Sequence, residues 1–387
     1  MLKYRFKQDN GNDYPDWDNF TLDKCCNCFD SKRIPISEQN RIKGSYPYYG
    51  ANGIQDYVND YIFDGEYMLL AEDGGHYKEY KTRPIAQYVT GKFWVNNHAH
   101  ILQSKDEFYN KFVFYCLEHK NIIPVVKGST RGKLNQSDMW KIKISIPVNY
   151  EEQQKIADFF TAIDNQIDIQ RQRVENMETQ KKGLLDKVFS QELRFKRDDG
   201  SDYPDWKESS IESDFNIKMC KRILKKDTQP NGDVPFYKIG TLGKTPDSFI
   251  SNDLYQFMKE NYNSPSVDDT LISCSGTLGK CTLYDGKPAY FQDSNIVWLV
   301  AKNQAMVNKK FLYYVLSRFT WNKVNKTTIG RIYSNDLNRK IWHKPCPEEQ
   351  QKIADFFTAI DNQIDIEKQR LTTMETIKKG LLQQMFC

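Results

Sequence analysis

Glu151-Glu-Gln-Gln-Lys-Ile-Ala-Asp-Phe-Phe-Thr-Ala-Ile-Asp-Asn-Gln-Ile-Asp-Ile169 returns letter for letter as Glu348 to Ile366, at a constant offset of 197. Extended to Phe189 and Phe386, the two stretches differ at only nine of 39 positions. Identity of that length is duplication, so one long element occurs twice in the chain. The apolar residues recur with a four-three alternation. In the first copy Ile156, Phe160, Ile163, Ile167, Val174, Met177 and Leu184 fall on one seam, with Gln170, Lys181 and Val188 completing it. In the second copy the seam is Ile353, Phe357, Ile360, Ile364, Leu371, Met374 and Leu381, completed by Glu367, Lys378 and Met385. That is the a/d pattern of a coiled coil. Asn149, three residues before Glu152, and Pro347 ahead of Glu348 mark the two helix starts.

A helix of roughly 38 residues would be about 57 Å long, more than one small domain can cover. Each copy is therefore expected to pair with the other. An amphipathic core helix is the ordinary reading of a single heptad run, but duplication and five heptads favour the coiled coil. Gly183 and Gly380, each following Lys-Lys, are the alternative helix ends, as C-caps, and the sequence leaves that end open.

A second repeat flanks the first. Residues 5–17 recur as residues 194–206 with ten matches in thirteen, ending in Tyr-Pro-Asp-Trp both times, at an offset of 189. Their Asp, Asn, Gly and Pro content reads as a turn-rich connector, with Trp17 and Trp206 as anchors on an apolar surface. The order helix, connector, variable segment is cyclic, since joining Cys387 to Met1 would reproduce the junction at residues 189–194. A pseudo-two-fold molecule with adjacent termini is expected, and such an axis makes the two helices antiparallel.

The 387 residues, 39% hydrophobic and 13% aromatic, suffice for two or three folded domains. No stretch approaches the ~20 apolar residues of a membrane span, and the N-terminus lacks a signal-peptide core, so a cytoplasmic location is expected. The net charge of +4 is unevenly placed: residues 18–146 carry +2, residues 207–344 carry +8, and the repeated segments carry the remaining −6. Positive charge where the sequence is not repeated points to a polyanion facing those segments, although +2 alone equally fits a solvated surface. Of nine cysteines, Cys25, Cys26 and Cys28 crowd together, but no second Cys-x-x-Cys half-site accompanies them. Reduced, structural thiols and no metal are expected.

Residues 18–146 and 207–344 occupy equivalent positions yet share only faint echoes, such as Tyr67-Met-Leu-Leu-Ala-Glu-Asp-Gly-Gly75 beside Asp269-Thr-Leu-Ile-Ser-Cys-Ser-Gly-Thr277. Apolar runs at Met68–Ala71, Ile142–Ile146 and Ile296–Val300 predict strands, whereas 106–119 and 308–320 predict helices. The fold class is α+β: two α/β-type globules of one fold and different surfaces, separated by the two long helices.

Two dissimilar globules between near-identical helices, each headed by Glu-Gln-Gln-Lys-Ile-Ala (Glu152 to Ala157, Glu349 to Ala354) and preceded by Tyr-Pro-Asp-Trp connectors, resemble the specificity subunit of type I restriction-modification systems. The resemblance covers the whole chain. It implies a connector and first target-recognition domain over 1–146, a spacer helix over 147–190, a connector and second recognition domain over 191–345, and a second spacer helix over 346–387. Each globule would read half of a bipartite site in double-stranded DNA. The helices would set the spacer and dock two methyltransferase subunits, and restriction subunits would join the full complex. The alternative is a coiled-coil scaffold linking two protein-binding globules.

The chain contains no Pro-Pro, so it lacks the Pro-Pro-aromatic loop with which an adenine methyltransferase holds a flipped base. Gly240-Thr-Leu-Gly243 and Gly276-Thr-Leu-Gly279 lack the spacing of a cofactor loop. Asp73 with Glu79-Tyr-Lys81 is too short a match for a nuclease, and the Asp73-Gly74-Gly75 turn explains its first member. No catalytic residue and no cofactor are expected. Polar and basic residues near the Gly turns are the DNA-contact candidates, because Lys and Arg neutralise phosphates while Arg, Asn and Gln pair with base edges. In the first globule these are Tyr77, Lys78, Lys81, Arg83, Asn97, His98, Lys127, Arg131 and Lys133. In the second they are Lys218, Lys221, Arg222, Lys225, Lys226, Lys280, Lys326 and Arg331.

Overall fold

Both copies of the repeat are uninterrupted 40-residue helices, Tyr150–Phe189 and Pro347–Phe386, in the computed structural model, which describes residues 5–128, 131–321 and 330–386. The first is capped by the Asn149 side chain, which accepts from the Glu151 and Glu152 amides at 2.8 and 3.2 Å. The second starts on Pro347, whose missing N–H costs nothing at a first helical position. Gly183 and Gly380 do not cap: both lie inside the helices, and a Cβ on either would meet no atom within 4 Å. The first helix instead terminates beyond Phe189, where Gln191 takes the left-handed conformation (φ 63).

The chain divides into two compact units, Met1–Glu175 with Ile366–Cys387, and Asn176–Asp365. Each holds the head of one long helix and the tail of the other. In the first unit Gln170 donates to Glu367, Lys378 donates to Asp164, and Phe160 packs on Phe386, so residue numbers fall along one helix as they rise along the other. The pair is an antiparallel coiled coil. In the second unit Lys181 meets Asp361, and Val188 shares a core with Ile353 and Phe357. Along the two seams Ile156, Phe160, Ile167, Val174, Ile353, Phe357 and Ile364 are buried; Ile163, Met177, Leu184, Ile360, Leu371, Met374 and Leu381 are partly covered. Burying each large apolar side chain contributes about 1.5–3 kcal/mol, which holds the two helices together.

In the first unit β1 (Trp17–Thr21) pairs with β8 (Lys143–Pro147) beside the helix head. A six-stranded sheet contains β2 (Cys26–Cys28), β3 (Lys43–Gly50), β4 (Gly53–Val58), β5 (Phe63–Ala71), β6 (Ala86–Val95) and β7 (Ala99–Ser104) in the order β2-β7-β5-β6-β3-β4. Only β3 and β6 run parallel. The second unit repeats this plan. Its β9 (Lys207–Ser210) pairs with β17 (Ile341–Lys344), and β10 (Phe215–Lys218), β16 (Ile296–Ala301), β13 (Thr270–Ser273) and β14 (Cys281–Leu283) follow the order of β2, β7, β5 and β6. A separate sheet places β11 (Val234–Tyr237) between β12 (Phe249–Ile250) and β15 (Tyr290–Phe291), the last parallel to it, as β3 is to β6.

The helix expected over 106–119 is shorter, Asn110–Glu118. The Asn110 side chain accepts from the Ser104 amide and the Ser104 hydroxyl donates to Phe108 O, holding 106–109 in a turn. The helix expected over 308–320 is Lys309–Ser317, N-capped by Asn308. No helix among the described residues is long and apolar enough to cross a membrane.

Candidate nucleic-acid interface

The heads of the long helices fasten each globule through groups the apolar pattern does not reveal. In the first unit the Glu152 carboxylate, wholly buried, accepts from the Arg5 guanidinium at 3.1 Å and the Trp17 indole at 3.1 Å. The next residue, Gln153, accepts from the Tyr109 amide and donates to Pro147 O. In the second unit Glu349, equally buried, accepts from Arg194 and Trp206, both at 2.9 Å, while Gln350 accepts from the Asn308 amide and donates to Pro345 O. One Glu-Gln pair thus ties down a connector, a helix start and a strand end. Lys378 sits over the Tyr115 ring and donates to Asp164 and Glu118; Lys181 sits over the Tyr314 ring and reaches Asp361. The tyrosine hydroxyls donate to the same aspartates. Two lysines on an apolar seam are tolerated because each has a carboxylate and an aromatic face.

With the sheet so held, four segments of the first unit converge: 51–52 after β3, 72–75 after β5, 96–98 before β7, and the described residues 126–128 and 131–134. The Glu72 and Asp73 amides donate to His98 O, Gly74 N donates to Gly132 O, and Leu134 N donates to Glu72 O. Beneath them His100, almost wholly buried, engages Asp30 through Nδ1 and Leu134 O through Nε2; Arg33 joins Asp30 at 3.2 Å and Glu72. Burial opposes charging His100, but the hydrogen bonds to Asp30 and Cys28 and the Asp30 charge outweigh it and lift its pKa to about 9. Cys28, Asp30 and His100 bring ligand-type atoms within 4.8 Å of one another. Arg33 already supplies the cation and both imidazole nitrogens are engaged, so this is an ion-paired girder and a poor metal site. The described cysteines form no disulfide, and burial pushes the Cys25 thiol up to about 12.

The second unit uses the same backbone frame with other side chains. Cys274 N donates to Asn295 O and Ile332 N to Cys274 O, so Cys274, Ser275, Asn295, Val297 and Arg331 stand where Glu72, Asp73, His98, His100 and Lys133 stand in the first. Ser275 donates to the Asn295 side chain, and Arg331 donates to Ser294 O at 3.3 Å.

The candidates named from sequence divide accordingly. Arg131, His98, Asn97 and Lys133 lie at the four-loop junction, Arg131 2.7 Å and His98 3.6 Å from Asp73, and Lys133 3.9 Å from Glu72. Lys127 bridges to Asp138 at 2.7 Å. Lys78 and Lys81 are exposed on the Tyr77–Glu79 turn and just after it, and Arg83 pairs with Glu79. Tyr77 is not available to DNA: it is buried, donates to Ala71 O, and props the loops from below, so close to Gly75 and Gly132 that a Cβ on either would strike its ring. In the second unit Lys221, Lys225 and Lys226 are exposed, Arg222 pairs with Asp293, and Lys218 is half-buried on β10. Lys280 donates to Leu242 O at 2.6 Å, which commits its ammonium to holding a neighbouring turn. Lys326 lies outside the described residues. Sequence reading missed Asn52, Gln55 and Asn96 at the junction. The Asn52-Gly53 hairpin signal between β3 and β4 was the cue.

Comparison with known proteins bears on this arrangement directly. The model of the type I restriction modification DNA specificity domain matches twice, at residues 14–179 and 203–376. A putative type I restriction enzyme specificity subunit of Haemophilus influenzae is 36% identical over 359 residues, spanning 89% of this chain and 88% of that protein. The MjaVIII specificity subunit of Methanocaldococcus jannaschii is 23% identical over 415 residues, 97% of this chain and 94% of that one. Among solved structures, the type I restriction-modification S subunit from M. genitalium superposes with a TM-score of 0.59 at 16% identity, covering 97% of both chains. The chain belongs to the family of type I restriction-modification specificity subunits, DNA-recognition proteins that carry two target-recognition domains.

Proposed function

We propose that this chain recognises a bipartite DNA site and carries no catalytic group of its own, methyl transfer residing in two identical methyltransferase subunits and cleavage in restriction subunits that join them. One observation carries this reading: the repeated helices agree on their outward faces, while the globules differ where the loops meet. Each copy exposes the same isoleucine, Ile169 at 58% and Ile366 at 56%, beside a phenylalanine, Phe159 or Phe356, that packs edge-on against Phe6 or Phe195 of the connector and still keeps about a third of its surface open. Two equal outward surfaces suit two copies of one partner. The loop groups Glu72, Asp73, His98 and Lys133, against Cys274, Ser275, Asn295 and Arg331, suit two different half-sites.

The recognition domains are assigned to residues 18–146 and 207–344, and the phosphate contacts to their exposed lysines and arginines. The complex would act on cytoplasmic DNA. The test is methylome sequencing of a host expressing this subunit with its methyltransferase partner, before and after residues 18–146 are replaced by the matching segment of a relative. One half-site is expected to change and the other to stay. A simultaneous change in both, or methylation by the purified chain alone, would overturn the reading.

A further inference from the structure

Asn52, Gln55, Asp73, His98 and Arg131 line a concavity of about 430 Å3 at the four-loop junction of the first unit. Most loop residues there are tied down by their backbones, but among the described residues three side chains are held by one edge only. The Asn52 amide nitrogen donates to Gly74 O at 3.0 Å, which leaves its carbonyl oxygen and its second N–H available. The Arg131 guanidinium, 62% exposed, is fixed through Nε by Asp73 at 2.7 Å, which leaves the terminal nitrogens as a fork. Gln55 has its amide oxygen held by buried Asn96 at 3.0 Å, and presents its two amide protons. Gly74 organises the first two. It takes a left-handed conformation (φ 73), and a Cβ there would lie 3.3 Å from Arg131 Nε.

Fixing one edge of an amide or guanidinium while leaving the other open is the arrangement that base-edge recognition requires, because the orienting entropy is lost before DNA arrives. A phosphate contact needs no such orientation, since any exposed lysine serves. The donor patterns name the bases: a fork of two N–H groups matches guanine O6 and N7, and an amide with one acceptor and one donor matches adenine N6 and N7. We propose that Arg131, oriented by Asp73, reads a guanine and Asn52, oriented by Gly74, reads an adenine in the half-site of the first recognition domain. This rests on the DNA-recognition role assigned above.

The test uses the complete complex with its methyltransferase subunits and oligonucleotides carrying its methylated site. For wild type, 7-deazaguanine, which lacks N7, is placed at each guanine of the half-site that changes when residues 18–146 are swapped. One position should lower the methylation rate by roughly 2- to 10-fold, because one of the two hydrogen bonds of a bidentate contact worth about 1–3 kcal/mol is lost while O6 remains. Arg131→Lys keeps the charge and loses the fork; discrimination at that guanine should fall by a similar factor while the second half-site is still read, which also reports that the chain is folded. Asn52→Ala should relax one adenine position in the same way. A uniform loss across all sequences in Arg131→Lys would make Arg131 a phosphate contact and overturn the assignment. So would indifference to 7-deazaguanine at every position, or a half-site that lacks either a specified G·C pair or a specified A·T pair. If swapping residues 18–146 moved neither half-site, the DNA-recognition role itself would fall instead.

Discussion

Replacing Glu349 by alanine removes a carboxylate with no solvent exposure from a site where Arg194 donates at 2.9 Å and Trp206 at 2.9 Å. Breaking a buried pair by deleting one partner costs roughly 3–5 kcal/mol, against about 0–1 kcal/mol for a surface pair. The Arg194 side chain keeps 23% exposure and can relax towards water, which places the cost near the lower limit, about 3 kcal/mol. With an unfolding slope of about 2 kcal/mol per molar urea, the midpoint should fall by roughly 1.5 M. Glu349→Gln keeps the shape and the acceptor but loses the charge, so about half of that loss is expected. Glu152 has the same two partners, Arg5 and Trp17, with the same complete burial, and its substitutions should cost the same within about 0.5 kcal/mol. Urea unfolding of the full chain, followed by circular dichroism, supplies the values. A double-mutant cycle of Glu349→Ala with Arg194→Met should give a coupling above about 1.5 kcal/mol. A coupling below about 0.5 kcal/mol, or a Glu152 substitution near neutral while Glu349 is costly, would refute the claim that one buried carboxylate anchors each globule.

The raised pKa of His100, about 9, favours the folded state fully below its unfolded value near 6.5, and that contribution is lost as pH rises through about 9. On the order of 3 kcal/mol should separate wild type at pH 6 from pH 9 through this group, and His100→Gln should flatten that dependence; equal pH slopes in urea titrations would contradict it. Because a Cβ at Gly183 or Gly380 meets nothing within 4 Å inside a helix, Gly183→Ala and Gly380→Ala should each stabilise by about 0.5–1 kcal/mol, whereas a lower melting temperature would mean that one of them ends its helix after all. Removing the Lys378 ammonium leaves the largely buried Glu118 without its partner, so Lys378→Met should destabilise at pH 7 and recover in part as Glu118 protonates in acid, measured as the ratio of urea midpoints at pH 5 and pH 7. No acid recovery would show that the pair contributes nothing beyond packing.

The helices were legible in the sequence because their information is local and periodic. Isoleucine, phenylalanine and leucine at four-three spacing state a buried seam whatever the partner, and a 19-residue identity states that the seam occurs twice. The same local logic gave Asn149 and Pro347 as helix starts, and it left the far ends open, because a glycine inside a helix and a glycine after one look alike until the backbone is seen. The globules yielded less. Their strand runs at 68–71 and 296–300 were visible as apolar stretches, but their pairing order joins residues far apart in the chain, and no local pattern encodes it. The candidate recognition surface was the least legible part, for the same reason. Tyr77 looked like a DNA contact beside a glycine turn, and its hydroxyl turns inward to Ala71; Asn52, 22 residues from Gly74 in the chain, is brought to it by a single hydrogen bond across the loops. Spacing along the chain determines which face of a helix is apolar, because the helix is its own frame. Only the tertiary structure decides which polar side chains face the solvent together, because the backbone hydrogen bonds that place them come from strands and loops the local sequence does not contain.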